Sequence, residues 1–261
     1  MSIYDSWIVK SPIAHRGLFN DEIPENSIAA FKNAVKNKIA IELDVTSLSD
    51  GTLVVFHDSK LARMTGKDGF ISNCKYEEIE NLTLLKSKEK IPTFKQALDA
   101  INGKVPVLIE VKNFGKVGSL EKEVWKQLQG YNGEYAISSF NPYTLEWFKK
   151  NAPIIKRGQV ASFFKSKEIT GIKRFSLKRM RFNKKISEPH FIIYSAEDMP
   201  NKYVRKYYVV IHVLTYTVRN ETIEEGLRDY SDNFLFDNFL PSAFQKNKKT
   251  TNTEETVEDN K

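Results

Sequence analysis

Residues 39–58 read Ile39-Ala40-Ile41-Glu42-Leu43-Asp44-Val45-Thr46-Ser47-Leu48-Ser49-Asp50-Gly51-Thr52-Leu53-Val54-Val55-Phe56-His57-Asp58. An unbroken apolar start of this kind suits a strand buried on both faces, as in a parallel sheet. Glu42 and Asp44, at i and i+2, share one face of that strand. Two carboxylates on one face repel unless a cation or a proton sits between them. Asp50-Gly51 is a two-residue hairpin signal. Folding about it opposes Asp44 with His57, so the chain is expected to rise along one strand and return a histidine to its acidic end.

Working outward, the same pattern recurs. Pro12-Ile13-Ala14 runs into His15-Arg16, and Val107-Leu108-Ile109 runs into Glu110-Val111-Lys112. Further apolar runs are Tyr135-Ala136-Ile137, Val209-Val210-Ile211 and Phe234-Leu235-Phe236, with weaker ones at Ile154 to Val160 and Phe191 to Tyr194. Helical patterns separate most of them. Asn26-Ser27 caps a helix through Ala30, Phe31 and Val35, and Thr93 opens another through Ala97 and Ile101. Leu120 to Leu128 forms a third, and Pro142 starts a fourth through Leu145 and Phe148. Alternating strands and helices imply a parallel sheet with helical cover. Eight such units match the size of a (β/α)8 TIM barrel, with a small hairpin extension after strand two. The rival is an open doubly wound sheet, but no Gly-rich phosphate loop supports it.

The chain has 261 residues, 41% hydrophobic and 28% charged, an ordinary globular composition with ample core. Residues 1–244 are expected to form the barrel and 245–261, polar and without apolar periodicity, a disordered tail. The single cysteine, Cys74, forbids an intrachain disulfide. No apolar run approaches the roughly 18 residues of a membrane span, and Met1 to Lys10 lacks the pattern of a signal peptide. The expected location is the cytoplasm. The net charge of +7 is local. Residues 165–185 hold nine basic residues and one acid, so the rest of the chain carries −1. That segment reads as a solvated helix and loop. With Phe175, Leu177, Met180 and Phe182 interleaved, it also reads as a peripheral contact for anionic membrane. Its aromatic spacing fits no nucleic-acid reader.

The oxygen-rich set Glu42, Asp44 and Glu110 favours Mg2+, Ca2+ or Mn2+. The alternative is an ion network with Arg16 and Lys112 that serves structure alone. His15 and His57 could share proton transfer, one as base and one as acid. His212, His190 and Cys74 read as structural. The absence of Gly-x-Ser-x-Gly removes support for serine hydrolase chemistry.

At these residues the chain resembles the (β/α)8 glycerophosphodiester phosphodiesterases. The matching strings are Ala14-His15-Arg16-Gly17, Pro24-Glu25-Asn26-Ser27, Ile41-Glu42-Leu43-Asp44-Val45 and Val54-Val55-Phe56-His57-Asp58. They continue through Arg63-Met64-Thr65-Gly66, Ile91-Pro92-Thr93, Leu108-Ile109-Glu110-Val111-Lys112 and Ile137-Ser138-Ser139-Phe140-Asn141-Pro142. The resemblance implies a divalent cation on Glu42, Asp44 and Glu110. It implies His15 and His57 as general acid and base, Arg16 and Lys112 on the phosphate, and products glycerol 3-phosphate and an alcohol. The C-terminal part departs. Where the family carries Trp-Thr-Val-Asn, this chain has Tyr216-Thr217-Val218-Arg219-Asn220, so that Tyr216 could keep an aromatic wall for the glycerol and Arg219 is extra. The family's Thr-Asp-x-Pro end is here Phe236-Asp237-Asn238-Phe239-Leu240-Pro241. Two other readings follow: a phosphodiesterase for lysophospholipid or another lipid-derived diester, and a barrel without turnover that binds anionic lipid.

Overall fold

The computed structural model describes residues 6–113, 115–164, 177–181, 183–207 and 210–242. Its strands are β1 (Ile13–Ala14), β2 (Ala40–Ser47), β3 (Leu53–Val55), β4 (Val107–Val111), β5 (Tyr135–Ser139), β6 (Arg157–Ala161), β7 (Phe191–Ser195), β8 (His212–Val218) and β9 (Asn233–Phe236). β1, β2 and β4 to β9 pair in parallel, and β1 pairs with both β2 and β9, which closes an eight-stranded barrel. The helices that matter to the argument are α1 (Trp7–Lys10), α2 (Ile28–Lys36), α3 (Ala62–Thr65), α4 (Phe94–Ile101), α5 (Ser119–Leu128), α6 (Pro142–Asn151), α7 (Lys202–Arg205) and α8 (Glu221–Leu227). Their caps follow the sequence. Ser27 accepts from the Ala30 N–H, Thr93 from Gln96, and Asn141 from Tyr143.

Strand parity sorts the side chains. Ile41, Leu43 and Val45 of β2 and Val107, Ile109 and Val111 of β4 pack outward against Phe31, Phe94, Ile101, Val124 and Phe148 from the helices. Ala40 and Leu108 point into the barrel, where they meet Ala136, Val160, Phe191, Ile193, Leu214 and Leu235. Glu42, Asp44 and Glu110 therefore share that interior face, further along the same strands. Gly158 of β6 is needed here: a Cβ would overlap the Phe191 ring. The lower end of the barrel is stoppered by α1. Ile8 is fully buried in the interior cluster, and the Asn233 side chain donates to the carbonyls of Ile8 and Ser11 at 2.7 Å each.

Two expectations need correction. The hairpin between β2 and β3 pairs Val45 with Val55, Thr46 with Val54 and Ser47 with Leu53, and the Phe56 N–H donates to the Asp44 carbonyl at 2.9 Å. Asp44 thus opposes Phe56, not His57. The loop holds three residues, with the Gly51 N–H on the Leu48 carbonyl and Gly51 at φ +86°, in place of a two-residue turn. One residue of slip changes the face, and His57 falls just beyond the ladder. Second, Val210 and Ile211 do not start a strand. Both N–H groups donate to the Tyr207 carbonyl, closing a turn that leaves Val210 73% exposed, and β8 begins at His212. Val209, most of the basic segment and the segment 245–261 lie outside the described residues.

From β3 to α4 the chain makes an excursion with its own small core, in which Phe56, Leu61, Met64, Ile71, Ile79, Leu84 and Ile91 are buried together. His57 stands at its base.

Candidate active site

A cavity of about 400 Å³ opens at the C-terminal ends of the barrel strands. His15, Arg16, Glu42, His57, Glu110, Lys112 and Tyr216 all line it. Asp44, fully buried, lies just behind, in contact with Arg16 and Lys112. Val160, Ile193 and Leu235 are apolar lining, and Phe140 meets the Tyr216 ring edge-on at 6.1 Å.

The segment after β1 turns sharply. Arg16 (φ +59°) and Gly17 (φ +83°) are both left-handed, and a Cβ on Gly17 would come within 2.9 Å of Ala30. The turn aims the Arg16 N–H at Glu42 Oε2, at 2.8 Å. Because β1 lies beside β9, His15 emerges next to Asp237: Nδ1 is 3.4 Å from Asp237 Oδ2 and 3.5 Å from Thr217 Oγ1. Burial pushes the His15 imidazole below its ordinary value, against an opposing pull from Asp237 and with Arg16 adding to the lowering. This lowering favours the neutral ring.

The three acids converge. One ligand oxygen from each of Glu42, Asp44 and Glu110 lies within 4.8 Å of the others, the one such group among the described residues. Register explains it: Asp44 pairs with Glu110 across β2 and β4, and Glu42 is two residues below on the same face. One buried oxygen, Glu42 Oε1, has no polar partner among the described residues. The Lys112 ammonium lies 3.1 Å from Asp44 Oδ1 and 2.8 Å from Glu110 Oε1. These charges hold Lys112 well above its usual range despite burial, and Asp44 well below its own, with Lys112 the largest opposing influence on a buried carboxyl. Glu42 is driven the other way, upward, by burial and by the charges of Asp44 and Glu110. Three acids face two cations, Arg16 and Lys112, so the cluster is short of positive charge. Three hard carboxylate oxygens converging within 4.8 Å, one of them bare, fit a divalent cation such as Mg2+, Ca2+ or Mn2+. The ion network with Arg16 and Lys112 is also present; it engages Asp44 and Glu110 and leaves Glu42 Oε1 bare.

His57 is held from outside. Its Nδ1 is 2.7 Å from Asp58 Oδ1. Arg63 grips Asp58 through Nε at 2.6 Å and Nη2 at 3.0 Å, and Glu25 through Nη1 at 3.0 Å and Nη2 at 2.6 Å. Glu25 in turn accepts from Arg16 Nη1 at 2.8 Å. Burial would raise the Asp58 carboxyl, but its bonds from His57 and Arg63 hold it well below the usual range. Asn26 (φ +54°) donates through Nδ2 to Asp44 Oδ2 at 2.8 Å, which fixes the acid's remaining oxygen. Tyr216 is driven well above the usual phenol range by burial and by Glu110, so it stays protonated; its hydroxyl lies 3.4 Å from the Ala161 carbonyl.

Glu25, Asn26, Asp58, Arg63 and Asp237 belong to the site although residue spacing assigned them no role there. Asp237 carried the same signal as Glu110, an acid at the end of an apolar strand. Asp58 follows a histidine directly. The Glu25–Arg63 pair, 38 residues apart, has no local signal.

The match to protein families agrees with this geometry. Residues 15–238 match the glycerophosphoryl diester phosphodiesterase family, and the chain belongs to that family. It is 42% identical over 158 residues to a glycerophosphodiester phosphodiesterase of Caldanaerobacter subterraneus, covering 56% of this chain and 64% of the relative, short of two thirds of that protein's length. It is 26% identical over 260 residues to a glycerophosphodiester phosphodiesterase of Bacillus subtilis, covering 91% and 86%. A solved phosphodiesterase of Oleispira antarctica, in complex with the product sn-glycerol-3-phosphate, superposes with a TM-score of 0.76 at 24% identity over 90% of this chain and 95% of that one. Among the described residues no helix is long and apolar enough to cross a membrane.

Proposed function

We propose that this protein hydrolyses glycerophosphodiesters to glycerol 3-phosphate and an alcohol with the help of a divalent cation. The observation that carries the reading is the meeting of two imidazoles and three buried acids, whose ligand oxygens converge within 4.8 Å, around one cavity. Glu42, Asp44 and Glu110 would hold Mg2+, Ca2+ or Mn2+, which supplies charge neutralisation and polarisation at the phosphate. Lys112 and Arg16 add positive charge to the same place. His15, oriented by Asp237, takes the proton from the attacking hydroxyl, which belongs to water or to a neighbouring glycerol carbon; in the second case a cyclic phosphate forms first and water then opens it to glycerol 3-phosphate. His57, steadied by Asp58 and Arg63, gives a proton to the departing alcohol. Phe140 and Tyr216 form the wall for the glycerol. The product held by the Oleispira relative supports the glycerophosphate end of the substrate.

The test is turnover of glycerophosphocholine with and without EDTA. Activity is expected to vanish on chelation and return with metal, and His15→Ala is expected to lower kcat by about 10²–10⁴. Unchanged turnover in either experiment overturns the corresponding role.

A peripheral contact with anionic membrane through residues 165–185 is a second proposal. It is supported by the described end of that segment, where the Arg179 guanidinium lies 5.2 Å over the Tyr203 ring of α7, beside Lys202, Arg205 and Lys206. Flotation with phosphatidylglycerol vesicles tests it, and equal recovery with neutral vesicles overturns it.

A further inference from the structure

Arg219 is the residue by which this chain exceeds the string it resembles, and its position is pinned on both sides. Val218 pairs with Phe236 and accepts from the Asp237 N–H at 3.1 Å, and Asn220 caps α8 by accepting from the Ile223 N–H at 2.9 Å. Between them Arg219 projects onto the wall of the cavity, with its side chain 49% exposed. Its Nε lies 3.3 Å from Asp237 Oδ1.

The other cations of the cavity are otherwise engaged. Arg16 and Lys112 are buried against Asp44, Glu25 and Glu110. Arg219 meets a single carboxylate among the described residues, and meets it through Nε. Its two terminal amino groups form the end of a planar fork suited to a phosphate. Phe140 and Tyr216 wall the glycerol end of a diester, and the reacting phosphate belongs with Arg16 and Lys112. An alcohol arm long enough to extend past the reacting phosphate toward solvent meets the exposed rim of the cavity, to which Arg219 belongs.

We propose that Arg219 reads the alcohol arm and selects diesters whose alcohol carries a second phosphate over those whose alcohol carries a cation. This rests on the phosphodiesterase reading above. A trimethylammonium arm meets like charge at this position, whereas a phosphate arm gains a charge-assisted contact. At a half-exposed site the discrimination is expected to be roughly five- to tenfold.

The experiment compares the metal-loaded full chain with Arg219→Gln and Arg219→Lys on 1,3-bis(glycerophospho)glycerol, glycerophosphoglycerol and glycerophosphocholine. The expected result is a fall of roughly five- to tenfold in the ratio of kcat/KM for the bisphosphate over the choline diester in Arg219→Gln, carried mainly by KM, with most of the ratio kept in Arg219→Lys. An unchanged ratio overturns the proposal. So does an equal loss on all three substrates, which would mean that Arg219 acts on His15 through Asp237. Calorimetric binding of the bisphosphate and choline diesters to the same proteins reads the selectivity without turnover. A wild-type chain that turns over none of the three would overturn the hydrolase reading, while the binding ratio would still decide the role of Arg219.

Discussion

His15 shows how one residue's surroundings set its chemistry. The imidazole is ordinarily half-protonated at 6.5, and burial lowers that value here, with Asp237 opposing and Arg16 assisting. The proton-accepting form therefore persists into more acid solution. The acidic limb of kcat/KM is expected below pH 6.5, and a limb at or above that value contradicts His15 as the base. The same shift has a stability counterpart. The unfolded chain takes up this proton before the folded chain does, so the group's stabilising contribution is complete above pH 6.5. It declines as pH falls from 6.5 to the lowered folded value. Denaturant midpoints across that interval, compared with those of His15→Asn, isolate it.

Elements place these residues, and some placements are rigid. Gly158→Ala would drive a methyl group into the Phe191 ring at the heart of the barrel. It is expected to cost about 1–3 kcal/mol by overpacking, read as a lower midpoint in urea at unchanged slope. Much of this level could be read in the chain. The apolar runs at Ile13, Ile41, Ile109, Ile137 and Leu235 are barrel strands; period-two alternation puts Glu42 and Asp44 on one face, and the β2–β4 register adds Glu110. The hairpin was harder. Asp50-Gly51 marks the turn, but whether two or three residues lie in it depends on Gly51 closing a bulge, and that decides what opposes Asp44. Val210 and Ile211 have the composition of a strand and lie in a turn, because the Tyr207 carbonyl takes both their N–H groups. The braces of His57 were hidden for another reason. Asp58 and Arg63 lie close together in the chain, but Glu25 is 38 residues from Arg63, and only the fold brings it to them.

At the scale of the whole molecule, the cluster in which Glu42, Asp44 and Glu110 face Arg16 and Lys112 should leave a measurable mark on stability. A divalent ion at about 100 times its Kd is expected to add about 2.7 kcal/mol to the folded state, or roughly 5–10 °C in Tm for a chain of this size. Calorimetric scans with Mn2+ or Ca2+ against EDTA check it, and Glu110→Gln should abolish most of the increment. At this scale α1 also has a consequence. With Ile8 seated in the lower barrel and Asn233 latching it there, the described residues close the cavity at its foot. A fragment lodged deepest is then expected to be the last out, by the mouth at the strand C-termini. Until it goes, no new guest is admitted, so that inner fragment should inhibit in direct rivalry with the incoming diester.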